Sequence, residues 1–378
     1  MSGLTTKLIH SGYDASDDQG AIIPPIHLST TFKFGNERGY DYSRSDNPTR
    51  KALEETLAAI DGGKHGLAYS SGSAALANIA ALLHEGEEIL FSSDAYGGTY
   101  RYVTQVLSKT GIKHKIVDFT NLEAVRQVAS ENNIKLIWSE TPTNPLLKVA
   151  DIRALSEIAH QNDAILVVDN TFLTPVAQRP LEHGADIVVY STTKFINGHS
   201  DSVDGSLVVN DDKLYEELKF LQNAIGAILS SFDSWLTLRG LRTLEVRIKQ
   251  HNQTAQKIAK TLQESDKVKR VFYPGLFTGE QGEIVKRQQI LPGAIVSVEL
   301  NDNVDVQKFL NSLKYFPLAE SLGGVESLID HPASMTHAAI PAKERAKIGL
   351  SDGLFRISVG IENTEDLVDD IQQALDNI

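Results

Sequence analysis

A chain of 378 residues exceeds what one small core can hold, and 41% hydrophobic with 22% charged residues excludes disordered and collagen-like chains, so two packed units are expected. The formal net charge of -13 repels phosphate backbones and anionic lipid, which removes nucleic acid and membrane as expected partners and requires any anion site to be built locally. With no cysteine, disulfides, zinc–thiolate centres and thiol nucleophiles are excluded together.

Residues Met1–Gly12 carry no apolar targeting core, and nowhere does an apolar run reach the roughly 18 residues of a membrane span, so a cytoplasmic protein is expected. Residues 1–47 read as an irregular arm broken by Gly20, Pro24, Pro25 and Gly35. The arm nevertheless carries Ile22, Ile23, Ile26 and Phe32, and such a segment needs a surface to lie on. Asn47-Pro48 predicts a helix start: asparagine caps free N–H groups, proline at the first position sacrifices none, and Leu53, Leu57 and Ile60 follow at helical spacing.

Ser71-Gly72-Ser73 precedes an alanine-rich helix expected from Ala74 to about His84, whose N-terminus can offer backbone N–H groups to a phosphate. Short apolar runs at Ile89–Phe91, Ile134–Trp138, Ile165–Val168, Ile187–Tyr190 and Leu207–Val209 alternate with helical stretches. They predict strands of a parallel sheet covered on both faces, a doubly wound α/β unit over 48–250. Beyond it, Gly293–Leu300 alternates towards strand and Leu354–Val359 reads as a second strand between helical segments, predicting a smaller α+β unit over 251–378.

Two strand ends carry the chemistry. Ile165–Val168 ends in Asp169, and Ile187–Tyr190 runs into Ser191-Thr192-Thr193-Lys194; the stretch between them allows one helical crossover, which places an acid and an amine at the ligand-binding edge of the sheet. Pyridoxal 5'-phosphate needs that pair, an amine to form a Schiff base and a carboxylate beside the pyridine nitrogen. Lys194 and Asp169 fit these roles, Ser191 and Thr193 can add hydroxyls to a phosphate site, and Tyr96, between Ala95 and Gly97-Gly98, can stack on a flat ring.

These residues, with Tyr42-Ser43-Arg44, Asn47-Pro48-Thr49, Asp94–Thr99, Glu140–Pro145, Asp169–Thr171, Glu320–Gly324, His331–His337 and Phe355–Gly360 in order along the whole chain, resemble the Cys/Met-metabolism enzymes that depend on pyridoxal phosphate. That family includes the cystathionine lyases and synthases and methionine γ-lyase. The resemblance implies an aspartate-aminotransferase-like, fold type I architecture with a mostly parallel central sheet. It also implies Lys194 as the Schiff-base lysine, Asp169 on the pyridine nitrogen and Tyr96 on the ring. Gly72, Ser73, Ser191 and Thr193 match the phosphate cradle, with Tyr42 and Arg44 reaching it from a neighbouring subunit of a homotetramer. Arg356 matches the clamp for the substrate α-carboxylate, assisted by Asn144, Ser321 and Tyr42.

Within the family, Gly98 stands where the best-known methionine γ-lyases have cysteine, which counts against methionine as the main substrate, and Glu320 resembles the acid that the cystathionine-handling branch turns to the distal amino group. The expectation is a cystathionine γ-lyase, with a γ-synthase as the alternative and β-lyase or methionine γ-lyase as side activities. Asp41, before Tyr42, fits either branch. Hydrolase and dinucleotide readings lack their Gly-x-Ser-x-Gly, His-Glu-x-x-His and Gly-x-Gly-x-x-Gly motifs, and the 11 histidines show no metal-ligand spacing; His331 and His337 receive no role.

Overall fold

The computed structural model describes residues 2–17, 20–335 and 349–378. Asn47 caps the first long helix as its residue type predicts: its side-chain oxygen accepts the N–H groups of Thr49 at 2.9 Å and Arg50 at 3.4 Å, and Pro48 opens the helix Pro48–Asp61. The arm before it is less irregular than its breakers suggest, because Leu4–His10 forms a two-turn helix whose Leu8 is buried in the main core.

Seven strands form the large sheet: β1 His65–Tyr69, β2 Glu88–Ser92, β3 Lys113–Val117, β4 Ile134–Glu140, β5 Ile165–Asp169, β6 Ile187–Tyr190 and β7 Gly205–Val209. Their order is β1-β7-β6-β5-β4-β2-β3, and β3, β2, β4, β5 and β6 run parallel. Alternate residues of β4 and β5 enter opposite layers. Ile137, Leu166 and Val168 pack with the helices Leu122–Glu131 and Ile152–Gln161, whereas Leu136, Trp138 and Val167 pack with the helix Gly72–Ala80. Burial on both faces is why these runs are continuously apolar.

β7 departs from the parallel arrangement expected of its apolar run and lies antiparallel to both β6 and β1. The connection 191–204 contains the Lys194 turn and no helix, so it cannot make the crossover that a parallel partner requires. The helix expected from Ala74 to about His84 instead runs from Gly72 to Ala80, with Ser71 Oγ accepting the Ala74 N–H at 3.0 Å.

A second, antiparallel sheet of order β10-β11-β9-β8 comprises β8 Val268–Phe272, β9 Ile295–Leu300, β10 Leu328–Asp330 and β11 Leu354–Ser358. The helices Leu244–Gln263 and Thr364–Asp376 cover it, and Leu244–Gln263 runs unbroken through residue 250. Arg356 sits mid-strand, paired in register with Asp330 of β10 and Ser297 of β9. Among the described residues no helix is long and apolar enough to cross a membrane.

Candidate active site

The parallel run of β4, β5 and β6 delivers three strand ends to one edge. Glu140 ends β4 in register with Asp169 at the end of β5, Asp169 pairs with Val189 of β6, and the Lys194 turn follows β6. Above this edge lies a cavity of about 420 Å³. Gly72, Ser73, Tyr96, Asn144, Asp169, Ser191, Thr193, Lys194, Glu320, Ser321 and Arg356 all line it, so residues spread over most of the chain meet there. Tyr42 and Arg44 do not; they lie on the arm, where Arg44 Nε donates to Asn223 Oδ1 at 3.2 Å. A larger hollow of about 960 Å³ near Lys148 is chemically quieter, since Lys148 is engaged by Asp118 at 2.7 Å.

Lys194 Nζ donates to Ser321 Oγ at 2.7 Å. Burial, and then the nearby Arg356 charge, pull the amine down to about 8, with Glu320 acting the other way. Arg356 is 3% exposed and donates to Asn144 Oδ1 at 2.7 Å and to the Ser321 carbonyl at 3.1 Å, with Asp330 at 3.5 Å as its counter-ion. Its Nε is buried without an acceptor, a donor left for a ligand.

Asp169 Oδ1 accepts the Thr171 N–H at 3.0 Å and the Thr171 hydroxyl at 2.5 Å, which fixes its carboxylate at the cavity floor. The cavity leaves part of its surface open, yet the surrounding protein strips away enough solvent to raise it above the usual carboxylate range. The Tyr96 ring lies over Gly98, where a Cβ would meet ring atom Cε1 at 2.3 Å. The glycine supplies the space that the ring occupies.

At the opposite end, the N–H groups of Gly72 and Ser73 open the helix Gly72–Ala80 and have no acceptor in its first turn. Gly72 is also where the chain needs to be small, since a Cβ there would stand 3.1 Å from that of Ser191. Thr193 is held from behind: its hydroxyl donates to the Asp204 carbonyl at 3.0 Å and accepts the Asp204 N–H at 2.8 Å. Small residues and the open N–H groups of a helix N-terminus suit an anion, whereas the Thr193 proton is already given to Asp204.

A profile of the Cys/Met metabolism PLP-dependent enzymes matches residues 5–376. The chain belongs to this family. It is 51% identical over 376 residues to a cystathionine gamma-lyase of Dictyostelium discoideum, covering 98% of this chain and 97% of that one. It is 48% identical to a cystathionine beta-lyase of Lactococcus lactis subsp. cremoris, covering both chains fully. Among solved structures, a cystathionine gamma-lyase from Lactobacillus plantarum complexed with L-serine superposes with a TM-score of 0.95 at 40% identity, covering 100% and 99% of the two chains. A cystathionine gamma synthase from Xanthomonas oryzae pv. oryzae in complex with cystathionine gives 0.95 at 44%, covering 100% and 98%.

The family's cofactor is pyridoxal 5'-phosphate, and the cavity of this member fits it chemically: an amine of lowered basicity, a fixed carboxylate on the floor, and an anion cradle at one end. Residues without a role in the sequence reading also shape the site. Glu140, Thr171 and Asp330 support Tyr96, Asp169 and Arg356 respectively; strand pairing reveals Glu140 and Asp330, whereas Thr171 reaches Asp169 from two residues along the chain. Both ring nitrogens of His331 are occupied, by Ser334 at 2.7 Å and the Asp352 carbonyl at 2.9 Å, as befits a structural group. Thr336 and His337 of the same motif lie outside the described residues.

Proposed function

We propose that this family member is a cystathionine γ-lyase, cleaving L-cystathionine to L-cysteine, 2-oxobutanoate and ammonia. The reading is carried by two groups in one cavity, the buried Arg356 guanidinium with a free Nε and the acidic Glu320. Cystathionine carries an α-carboxylate at one end and a second amino group at the other, and these two side chains match both ends. The 51% identity to the Dictyostelium discoideum enzyme supports the γ-lyase within the family.

In this reading Lys194 holds the cofactor through its amine, Asp169 faces the ring nitrogen, and Tyr96 covers the ring. Gly72, Ser73, Ser191 and Thr193 receive the phosphate. When bound, the cofactor supplies an electron sink for charge developing next to the substrate carboxylate. Arg356, braced by Asn144 and Asp330, orients that carboxylate. Once the substrate amine has displaced it, the Lys194 amine, aimed by Ser321, would take the Cα proton and pass protons between carbons, as an amine of lowered basicity suits. The Tyr96 hydroxyl is the candidate donor to the departing γ-sulfur.

Tyr42 and Arg44 complete the cavity of a neighbouring copy in a cytoplasmic homotetramer of two active dimers. In support, the arm leaves Ile22 82%, Leu28 73% and Phe34 96% exposed in the single chain, which an aqueous surface does not favour. The second reading is a γ-synthase, favoured by the likeness to the Xanthomonas oryzae enzyme. Incubating the yellow holoenzyme with L-cystathionine alone and identifying the products by mass spectrometry tests both. Cysteine with 2-oxobutanoate is expected; homocysteine with pyruvate shows a β-lyase, and no turnover until an acylated homoserine and cysteine are added shows the synthase.

A further inference from the structure

Glu140 has no task in the reading above. It is 6% exposed, ends β4 beside Asp169, and spends both oxygens on one short segment: Oε2 accepts the Tyr96 N–H at 2.6 Å and Oε1 accepts the Thr99 hydroxyl at 2.7 Å. Trp138 Nε1 adds a longer contact to Oε1 at 3.4 Å.

The segment it holds opens without a side-chain cap of its own. The helix Gly97–Arg101 has five residues and passes straight into a π turn at Tyr102–Val106 and a 3-10 turn at Leu107–Thr110. Its N-cap is Tyr96, whose side chain makes no capping bond. The helical run 97–110 changes its hydrogen-bond spacing twice, and the donors at its start need acceptors from outside the run. Here the acceptor comes from a neighbouring strand.

We propose that Glu140 is a positioning residue, docking the Tyr96–Arg101 segment onto β4 and so fixing the Tyr96 ring over Gly98 at the cavity. The proposal rests on the reading in which Tyr96 covers the cofactor ring. It also explains why an acid is tolerated next to Asp169. Two adjacent buried carboxylates do not both ionise. Burial first, and the Asp169 charge second, push Glu140 up to about 8, so near neutral pH it is largely protonated; burial raises Asp169 as well, and its two donors from Thr171 oppose that rise. A neutral Glu140 accepts from Tyr96 through one oxygen and shares a proton with Thr99 through the other. Glutamine imitates that state: its oxygen serves Tyr96 and its amide N–H serves the Thr99 oxygen.

The test uses holoenzyme of Glu140→Gln and Glu140→Ala, with two readouts besides turnover: amide hydrogen exchange of the peptide covering 96–106, and the rate at which pyridoxal 5'-phosphate is lost on dialysis. Glu140→Gln is expected to exchange and release as wild type does. Glu140→Ala is expected to accelerate both by about tenfold, the loss of one to two hydrogen bonds, while peptides of β1 and β7 exchange unchanged. Wild-type exchange of 96–106 in Glu140→Ala overturns the proposal, and so does a Glu140→Gln enzyme as loose as Glu140→Ala. Should Glu140→Ala fail to fold, Thr99→Val removes half of the anchor and is expected to accelerate exchange about threefold; wild-type exchange there overturns the proposal equally. A Tyr96→Ala enzyme that keeps its cofactor as tightly as wild type defeats the reading of Tyr96 alone, because the exchange experiment judges the anchor independently.

Discussion

Lys194 Nζ donates to Ser321 Oγ at 2.7 Å, while the carbonyl of the same serine accepts from Arg356 Nη2 at 3.1 Å. Ser321 makes both contacts with a φ of 86°, a left-handed conformation that non-glycine residues adopt only when their surroundings enforce it. One strained residue therefore joins the amine proposed to hold the cofactor to the guanidinium proposed to hold the substrate.

A pH dependence follows from this link. The amine attacks an aldehyde only when neutral, and burial together with Arg356 lowers Lys194 to about 8. The rate at which cofactor-free protein captures pyridoxal 5'-phosphate should rise with pH up to about 8 and flatten above it. Arg356→Met, which removes a repelling cation, should move the midpoint up, and Glu320→Gln, which removes an attracting anion, should move it down. Stopped-flow absorbance measures both, and Lys194→Ala should give no visible band that survives dialysis. A midpoint at the value of a free lysine would contradict the account.

Arg356 should separate substrate affinity from cofactor retention. Its Nη1 bond to Asn144 and its Asp330 partner place the guanidinium in the cavity with Nε unpaired. Arg356→Ala should lower kcat/KM by about 10²- to 10³-fold, the loss expected for a desolvated charge contact, while the visible cofactor band persists. It also leaves Asp330, 1% exposed, without its counter-ion, so the melting temperature should fall. Adding Asp330→Asn should restore the melting temperature and leave kcat/KM low. Recovery of both together would mean that Arg356 serves the fold and not the substrate.

The floor of this site is readable from sequence because a buried parallel strand writes its end plainly: four apolar residues and then Asp169, and again before the Lys194 turn. Glu140 lies in an equally visible motif, but its meaning depends on the β4–β5 register that sets it beside Asp169, and strands apolar on both faces carry no alternation from which to read that register. β3, Lys113–Val117, stayed hidden because an edge strand with lysines at both ends of its first half carries little apolar signal. β1 is apolar on every buried position, yet its short His-Gly-Leu-Ala-Tyr run has the composition of a helix end as much as of a strand. The direction of β7 was set by what the preceding loop has to do, a constraint outside the strand itself.

Gly98→Ala probes the space under Tyr96. The new Cβ would stand 2.3 Å from Cε1, so the ring has to move; Tyr96 is 52% exposed and has solvent to move into. The protein should fold with an unchanged melting temperature, because alanine suits the helical backbone at 98. Turnover should fall several-fold, on the order of the 0.5–1.5 kcal/mol that an aromatic contact is worth, and the visible cofactor band should shift. An unaltered spectrum would show that the ring position over Gly98 is not the working one.

Asp61 offers a test of the layer beneath the site. It is fully buried at the end of the helix Pro48–Asp61 and accepts the Tyr190 hydroxyl at 2.6 Å, while its Oδ2 has no partner. Tyr190 in turn accepts from Asn170 at 3.0 Å, so this contact underlies the residues that follow Asp169 and precede Ser191. Burial pushes Asp61 up to about 7, with the Tyr190 bond opposing it. The folded protein therefore keeps a proton that the unfolded chain has released from about pH 4 upward, and on account of this group stability falls as pH rises from about 4 to about 7 and is level beyond. Asp61→Asn removes that fall and keeps an oxygen for Tyr190. The melting temperature of the variant minus that of wild type should then be more positive at pH 8 than at pH 5, measured by scanning calorimetry. The reverse order would mean that Asp61 is ionised in the folded protein and held there by a donor to Oδ2, and the floor of the site would carry one more negative charge beside Asp169.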